Sequence, residues 1–363
     1  MEHDPYTLAR VFPSAFPRRG NARPREERPR PGPRGRNLCR CNLRLCYTDL
    51  LMRILIFGAG GIGSVLGGFL ARMGHDVSLL GRAWHLDEIK KRGLTVTGIW
   101  GDYRVKAFDL YHSAQEILTK NLSFDLIFLT VKSYDTKQAV AELAPLMKEN
   151  TTLISFQNGL GNIETILEKI PAENFLPGRA IFGVETEPGL ARITVQADEL
   201  ILGALPGVTT KKNSAEIAHL LSLAKVQTKA VPDILTHIWS KVIYNCALNA
   251  LCTLHEMPYG EILKKEDTRR AMEEIVRECY AVGQAKKAAL EPPTAEGYLD
   301  LLIQTLIPRT ASHYPSMLQD LQKGRRTEIE ALNGAICRLG KELGVPTPRN
   351  EKITQAILKK FAI

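Results

Sequence analysis

Six residues, Gly58-Ala59-Gly60-Gly61-Ile62-Gly63, have the spacing G-x-G-x-x-G and follow directly on the apolar run Arg53-Ile-Leu-Ile-Phe57. Glycine at the first position allows a tight turn, at the second a close approach of backbone to pyrophosphate, at the last a close packing of helix on strand. The chemistry of such a loop is to hold dinucleotide phosphates at a helix N-terminus. A tight turn that binds nothing would use the same glycines. A second apolar stretch, Asp76–Leu80, ends in Gly81-Arg82. An NAD site has Asp or Glu here for the ribose 2′-hydroxyl, whereas Arg82 suits a 2′-phosphate and predicts NADP. A surface arginine without a ligand is the other reading.

Further along, Lys132 ends the buried-strand pattern Asp125–Lys132, and Asn158 lies in the loop Gln157-Asn158-Gly159-Leu160-Gly161 after the strand Thr152–Phe156. Both fall at the sheet edge where such folds bind ligands. Lys132 there can meet a phosphate or ribose, or be a solvated strand-end lysine; Asn158 can orient nicotinamide or substrate, or be a turn residue. The apolar helix Ile238–Leu251 carries Lys241, Asn245 and Asn249 at four-residue intervals, which puts them on one face. An amine and two amides on such a helix cost free energy unless they meet polar partners or line a cleft. A partly exposed polar face is the alternative. Ser316, after Pro315, and Glu328 are further candidates, though each could equally serve a helix start. Gly324 is expected to break the helix between them.

These residues need elements to carry them. The strand–glycine loop–helix–strand order up to Leu80 is one βαβ unit, and continuous apolar strands mean a sheet covered on both faces. Shorter strands at Arg179–Glu185, Ala191–Val195 and Leu200–Gly203 are expected to extend the same sheet. From Ile234 onward the periodicity is helical. The expected fold class is α/β: an N-terminal Rossmann-type dinucleotide-binding domain over residues 52–232, then an all-α helical substrate domain over 233–363, with Pro232 near the boundary. Residues 1–51 are expected to be a disordered Arg/Pro-rich extension, and Met52 reads as the native start. The 363 residues suffice for two domains with a large core.

Of the net charge of +9, residues 1–50 hold +6, with 11 Arg against five acids, which leaves +3 for the rest. The globular part therefore gives no case for nucleic-acid binding. The extension has no apolar core of a secretory signal, and its acids and prolines argue against a transit peptide. No apolar run approaches the ~20 residues of a membrane span. The 7 Cys are irregularly spaced, which suggests a reducing compartment, and Cys39, Cys41 and Cys46 have no second set for zinc. No metal is expected.

Taken together, the GAGGIG loop, LTVKSYD around Lys132, QNGLGN around Asn158, WSKVIYNCALN around Lys241 and PSMLQDLQKGRRTEIEALNG at Pro315–Gly334 resemble the ketopantoate reductase (2-dehydropantoate 2-reductase) family over about residues 52–350. The resemblance implies a cytoplasmic enzyme that reduces the small 2-oxo acid 2-dehydropantoate to (R)-pantoate with NADPH, on the route to pantothenate and coenzyme A. It makes Lys241 the proton donor and Asn245, Asn249, Ser316 and Glu328 substrate ligands. Arg82 and Lys132 would hold the cofactor, with Asn158 near the nicotinamide. A departure is His313-Tyr314-Pro315, where relatives often carry a substrate-binding Asn.

Two rival readings are a reductase of another 2- or 3-oxo acid and a non-catalytic NADPH sensor; an RNA-associated role through the Arg-rich extension is a third. A homodimer stays open. The extension lacks apolar residues to join a core, so a chain beginning at Met52 is expected to keep the melting temperature and turnover of the full chain. Thermal denaturation and an NADPH oxidation assay on both chains check this; a fall in either would tie the extension to the fold.

Overall fold

The computed structural model describes residues 51–360. The expectations for residues 1–50, including the three cysteines, lie outside the described residues. Among the described residues there are twelve strands: β1 Arg53–Phe57, β2 Asp76–Leu80, β3 Leu94–Gly98, β4 Tyr103–Val105, β5 Asp109–Tyr111, β6 Leu126–Leu129, β7 Thr152–Ser155, β8 Phe175–Arg179, β9 Phe182–Glu187, β10 Leu190–Gln196, β11 Leu200–Leu202 and β12 Thr228–Ala230. The helices among and after them are α1 Gly61–Arg72, α2 Ala83–Arg92, α3 Ala114–Thr119, α4 Thr136–Leu143, α5 Asn162–Leu167 and α6 Ser214–Leu223. The helical half holds α7 Ile234–Tyr244, α8 Leu251–Leu254, α9 Glu266–Ala285, α10 Ala295–Leu301, α11 Ile307–Arg309, α12 Ser316–Gln322, α13 Asn333–Leu343 and α14 Pro348–Lys360.

Eight strands form one sheet in the order β12-β11-β8-β7-β6-β1-β2-β5. Strands β5, β2, β1, β6, β7 and β8 pair in parallel, while β11 runs antiparallel to β8. Every residue of β6 and β7 is buried, as the continuous apolar runs require of strands covered on both faces. The chain turns to opposite sides of β1 to make β2 and β6, and ligands bind at the carboxyl ends of strands beside such a switch.

Two of the shorter strands do not extend this sheet. After β8 ends at Arg179, β9 and β10 join β3 and β4 in a separate sheet of order β4-β3-β10-β9. In β10, Ala191 and Ile193 are buried while Arg192 and Thr194 are exposed. That alternation belongs to a sheet with one covered face, and the covered face packs on α1, where Gly68 lies against Val96 and Leu94. The switch between sheets leaves Ala180 outside both ladders.

From Ile234 the described chain is helical, around a core that includes Val242, Cys246, Met272, Ile275, Tyr298 and Ile336. Helix α7 starts where Asp233 accepts from the Leu235 and Thr236 amides at 3.1 and 3.3 Å, as an N-cap does. Among the described residues, no helix is long and apolar enough to cross a membrane.

The glycine loop tests its own packing. A Cβ at Gly63 would sit 2.4 Å from the Gly58 carbonyl and 2.6 Å from Thr130 Oγ1, whereas a Cβ at Gly60 would meet nothing within 4 Å. Overpacking costs about 1–3 kcal/mol. Gly63→Ala is therefore expected to lower the melting temperature by several degrees and Gly60→Ala to leave it nearly unchanged. An unchanged melting temperature for Gly63→Ala in calorimetry would show that Gly63 has room the geometry denies.

Candidate active site

The loop after β1 is pinned from both sides. The amides of Gly58 and Ala59 both donate to the Leu80 carbonyl, at 3.0 and 2.8 Å, and Thr130 Oγ1 donates to the Gly58 carbonyl at 2.8 Å. Gly58 takes φ +108°, in the region that favours glycine. Helix α1 opens at Gly61 with no side-chain cap and no acid in its first turn. Its leading amides, with Ile62 and Gly63 behind, suit an anion. Beneath the loop lies a buried pair that sequence reasoning missed. Ser64 Oγ is 2.9 Å from His85 Nε2 and 3.4 Å from the Ala59 carbonyl, and His85 Nδ1 accepts from the Gly189 amide at 3.1 Å. Burial holds the His85 imidazole below its usual pKa. Its signal in sequence was one histidine on an apolar helix face, which does not point to a partner. Arg82, just before α2, is largely exposed and lies 3.7 Å from Asp135 Oδ2.

The next strand ends bring three predicted residues together. Lys132 Nζ donates to Asp320 Oδ2 at 2.7 Å and lies 3.5 Å from Glu328 Oε2. Glu328 also accepts from the Ser133 amide at 3.0 Å and from Asn158 Nδ2 at 3.2 Å. Asp320 binds Arg325 through its other oxygen at 2.9 Å. Burial alone would pull the Lys132 ammonium down, but Glu328 and Asp320 outweigh it and hold its pKa up. Burial would likewise raise Glu328, yet Lys132 and the two hydrogen bonds keep it below the usual carboxylate range. Lys132 thus contacts carboxylates of the helical half. Gln157 braces the arrangement, its amide donating to the Val131 carbonyl at 3.0 Å and Thr136 Oγ1 at 2.7 Å. Asp320 was missed although it lies in a segment already singled out; an acid within a helix carries no mark of its partner.

Lys241, Asn245 and Asn249 do not ride one continuous α-helix. Helix α7 ends at Tyr244, and Asn245–Ala250 is a π-helical stretch. The wider turn changes the angle between successive residues, so the four-residue spacing does not by itself align them. Such stretches occur often at functional sites. Lys241 Nζ donates to the Ala180 carbonyl. Burial first, then the Arg179 and Lys132 charges, push the lysine down to about 7, against the opposing pull of Glu328. Asn245 is buried. Asn249 holds the start of α12: its Nδ2 donates to Ser316 Oγ at 3.1 Å and its Oδ1 accepts from the Met317 amide at 3.2 Å. Ser316 is the first residue of α12, with Pro315 as its N-cap. Gly324, at φ +63°, lies just past the end of α12, and Glu328 precedes a short 3-10 turn. His313 sits edge-on to Tyr259, 5.4 Å between ring centroids.

Predicted residues of the two halves therefore meet at Lys132, Asn158 and Glu328, while Asn249 and Ser316 pair within the helical half. Lys241, an ammonium that can give up its proton near neutral pH, is held by the Ala180 carbonyl and acted on by the Glu328 charge. This arrangement can stabilise and protonate an oxygen that gains negative charge.

Comparison with known proteins fits that geometry. Residues 54–207 match the family described as ketopantoate reductase PanE/ApbA, and residues 233–361 match its C-terminal part. The 2-dehydropantoate 2-reductase of Aquifex aeolicus is 38% identical over 314 residues, spanning 86% of this chain and 97% of that one. The crystal structure of 2-dehydropantoate 2-reductase from Geobacter metallireducens superposes with a TM-score of 0.77 at 29% identity, covering 85% of this chain and 99% of that one. A ternary structure of D-mandelate dehydrogenase with NADH and anilino(oxo)acetate gives the same TM-score of 0.77 at 28% identity, covering 86% and 98%. With both halves matched by its family and the full length of its relatives spanned, the chain belongs to the ketopantoate reductase family.

Proposed function

We propose that this protein reduces 2-dehydropantoate to (R)-pantoate with NADPH. The observation that carries the reading is Lys241, a half-buried amine held by a backbone carbonyl, its pKa brought to about 7. The residues present fit a dinucleotide: the space over Gly60 is open, the first amides of α1 face it, and Arg82 stands exposed at the end of β2. Gly58, Ala59, Gly60, Gly61, Ile62 and Gly63 would hold the pyrophosphate, Arg82 the 2′-phosphate, Lys132 the ribose or phosphate, and Asn158 the nicotinamide end. When bound, NADPH supplies the hydride.

The chain's own residues do the rest. Lys241 stabilises the negative charge growing on the ketone oxygen and donates the proton. Asn245, Asn249 and Ser316 orient the substrate, and Glu328 accepts from its hydroxyl while Lys132 and Lys241 offset the repulsion between two acids. The division into a nucleotide domain over 52–232 and a substrate domain over 233–363 is part of this reading; the two family matches, which leave residues 208–232 between them, support it. A cytoplasmic setting accords with the free thiols of Cys246, Cys252, Cys279 and Cys337.

A second reading, reduction of another 2-oxo acid, draws on the equal likeness to the D-mandelate dehydrogenase complex and on His313, three residues before Ser316. A panel of 2-oxo acids with NADPH separates the two: 2-dehydropantoate is expected to give the highest kcat/KM, and a higher value for another acid would transfer the assignment.

Loss of a general acid typically costs about 10²–10⁴ in rate, and Lys241→Ala is expected to fall in that range while NADPH binding persists. Lys241→Arg should not restore turnover, since guanidinium stays protonated. For the native enzyme, kcat/KM should be full below pH 7 and fall as pH rises through the lysine value of about 7, because the ammonium is the donor. Steady-state rates against pH check both points, and turnover in Lys241→Ala within a few fold of native would remove the lysine from the chemistry.

Charge-assisted hydrogen bonds contribute about 1.5–3 kcal/mol. Arg82→Ala should accordingly raise the Kd for NADPH by roughly ten- to a hundredfold and leave NADH nearly unaffected. Fluorescence titration with both nucleotides measures this; equal losses would make Arg82 a structural residue.

A further inference from the structure

Arg179, the last residue of β8, is a buried arginine that the proposed mechanism does not use. Its side chain is 7% exposed and its Nη2 is paired with Asp198, which itself is 18% exposed. The same Nη2 donates to the Glu199 carbonyl at 3.4 Å, and the buried Nε has no partner among the described residues. The next residue, Ala180, supplies the carbonyl that takes Lys241 Nζ. Two cations thus stand at the end of β8, and of these Arg179 has a carboxylate in contact while Lys241 is held by a carbonyl. A buried arginine is costly to retain unless it is paired, and an apolar residue would fill the volume at no such cost.

We infer that Arg179, held by Asp198, is a positioning residue for the reaction: it fixes the strand end whose carbonyl anchors Lys241 and sets a permanent positive charge beside that anchor. This rests on the reading of Lys241 as proton donor. The charges that act on Lys241 are Arg179 from β8, Lys132 from the loop after β6 and Glu328 before the short turn that follows α12. Asp198, before β11, and His237, one turn earlier on α7, face the same arginine, and Glu291 and Asp233 act on that histidine. Helix α9, packed on the other side, turns apolar Met272, Ile275 and Val276 inward. Of the two positive charges, Arg179 cannot be discharged, so its push on Lys241 persists at every working pH.

The test measures Lys241 protonation with and without turnover. Acetic anhydride labelling of Lys241 against pH, followed by peptide mass spectrometry on the full chain, reads the amine directly; kcat/KM against pH reads its use. In Arg179→Met both midpoints should move up by roughly one pH unit, the scale of one neighbouring charge at partial burial. Arg179→Lys, which keeps the charge, should stay near native, and Asp198→Asn should move both midpoints down. Should Arg179→Met not fold, the double variant Arg179→Met/Asp198→Asn removes the pair without burying a lone charge, and a smaller upward shift is expected. Unchanged labelling midpoints in a folded variant lacking Arg179 would overturn the inference. A labelling shift with no shift in kcat/KM would uphold the coupling of Arg179 to Lys241 and overturn the proton-donor reading instead.

Discussion

Two carboxylates in the segment after Ser316 are buried, and that fact constrains everything around them. Asp320 and Glu328 are 4% and 8% exposed. A buried carboxylate costs several kcal/mol unless charges and hydrogen bonds compensate it. The compensation comes from the sheet: Lys132, the Ser133 amide and Asn158, all at carboxyl ends of parallel strands. The helical half therefore cannot dock elsewhere without stripping Glu328 of these partners and leaving Asp320 with Arg325 alone. Fold and site share one electrostatic requirement.

Within that frame the lysine is tuned by opposites. Glu328 favours its charged form; burial and two cations oppose it. A lysine in water would hold its proton far too tightly to be an efficient acid near neutral pH. Desolvation does most of the adjustment, so the apolar residues of α7 are as much a part of the site as the polar ones. Val242 and Ile243, beside the lysine in sequence, are both 1% exposed.

Much of this was legible in the sequence because it is local. The glycine spacing, the strand–helix–strand order and the apolar runs encode β1, α1 and β2 directly. What stayed hidden is relational. Asp320, Arg179 and His85 have ordinary contexts, and their partners lie 188, 19 and 21 residues away. The small sheet escaped because β10 pairs in parallel with β3, nearly a hundred residues earlier, and no local pattern records a partner. The π-helical stretch escaped because Asn245–Ala250 has the same apolar composition an α-helix would have.

The switch of sheets at Ala180 has a consequence for variation. The group that holds Lys241 is a peptide oxygen, set free because the chain leaves one ladder at Arg179 and joins another at Phe182. Substitution at position 180 changes the side chain, not the acceptor, so the contact leaves no imprint on residue identity there. It is inherited through the path of the backbone. Transplanting the lysine and its amides to another scaffold would carry over every recognisable residue and still omit the atom that aims the amine.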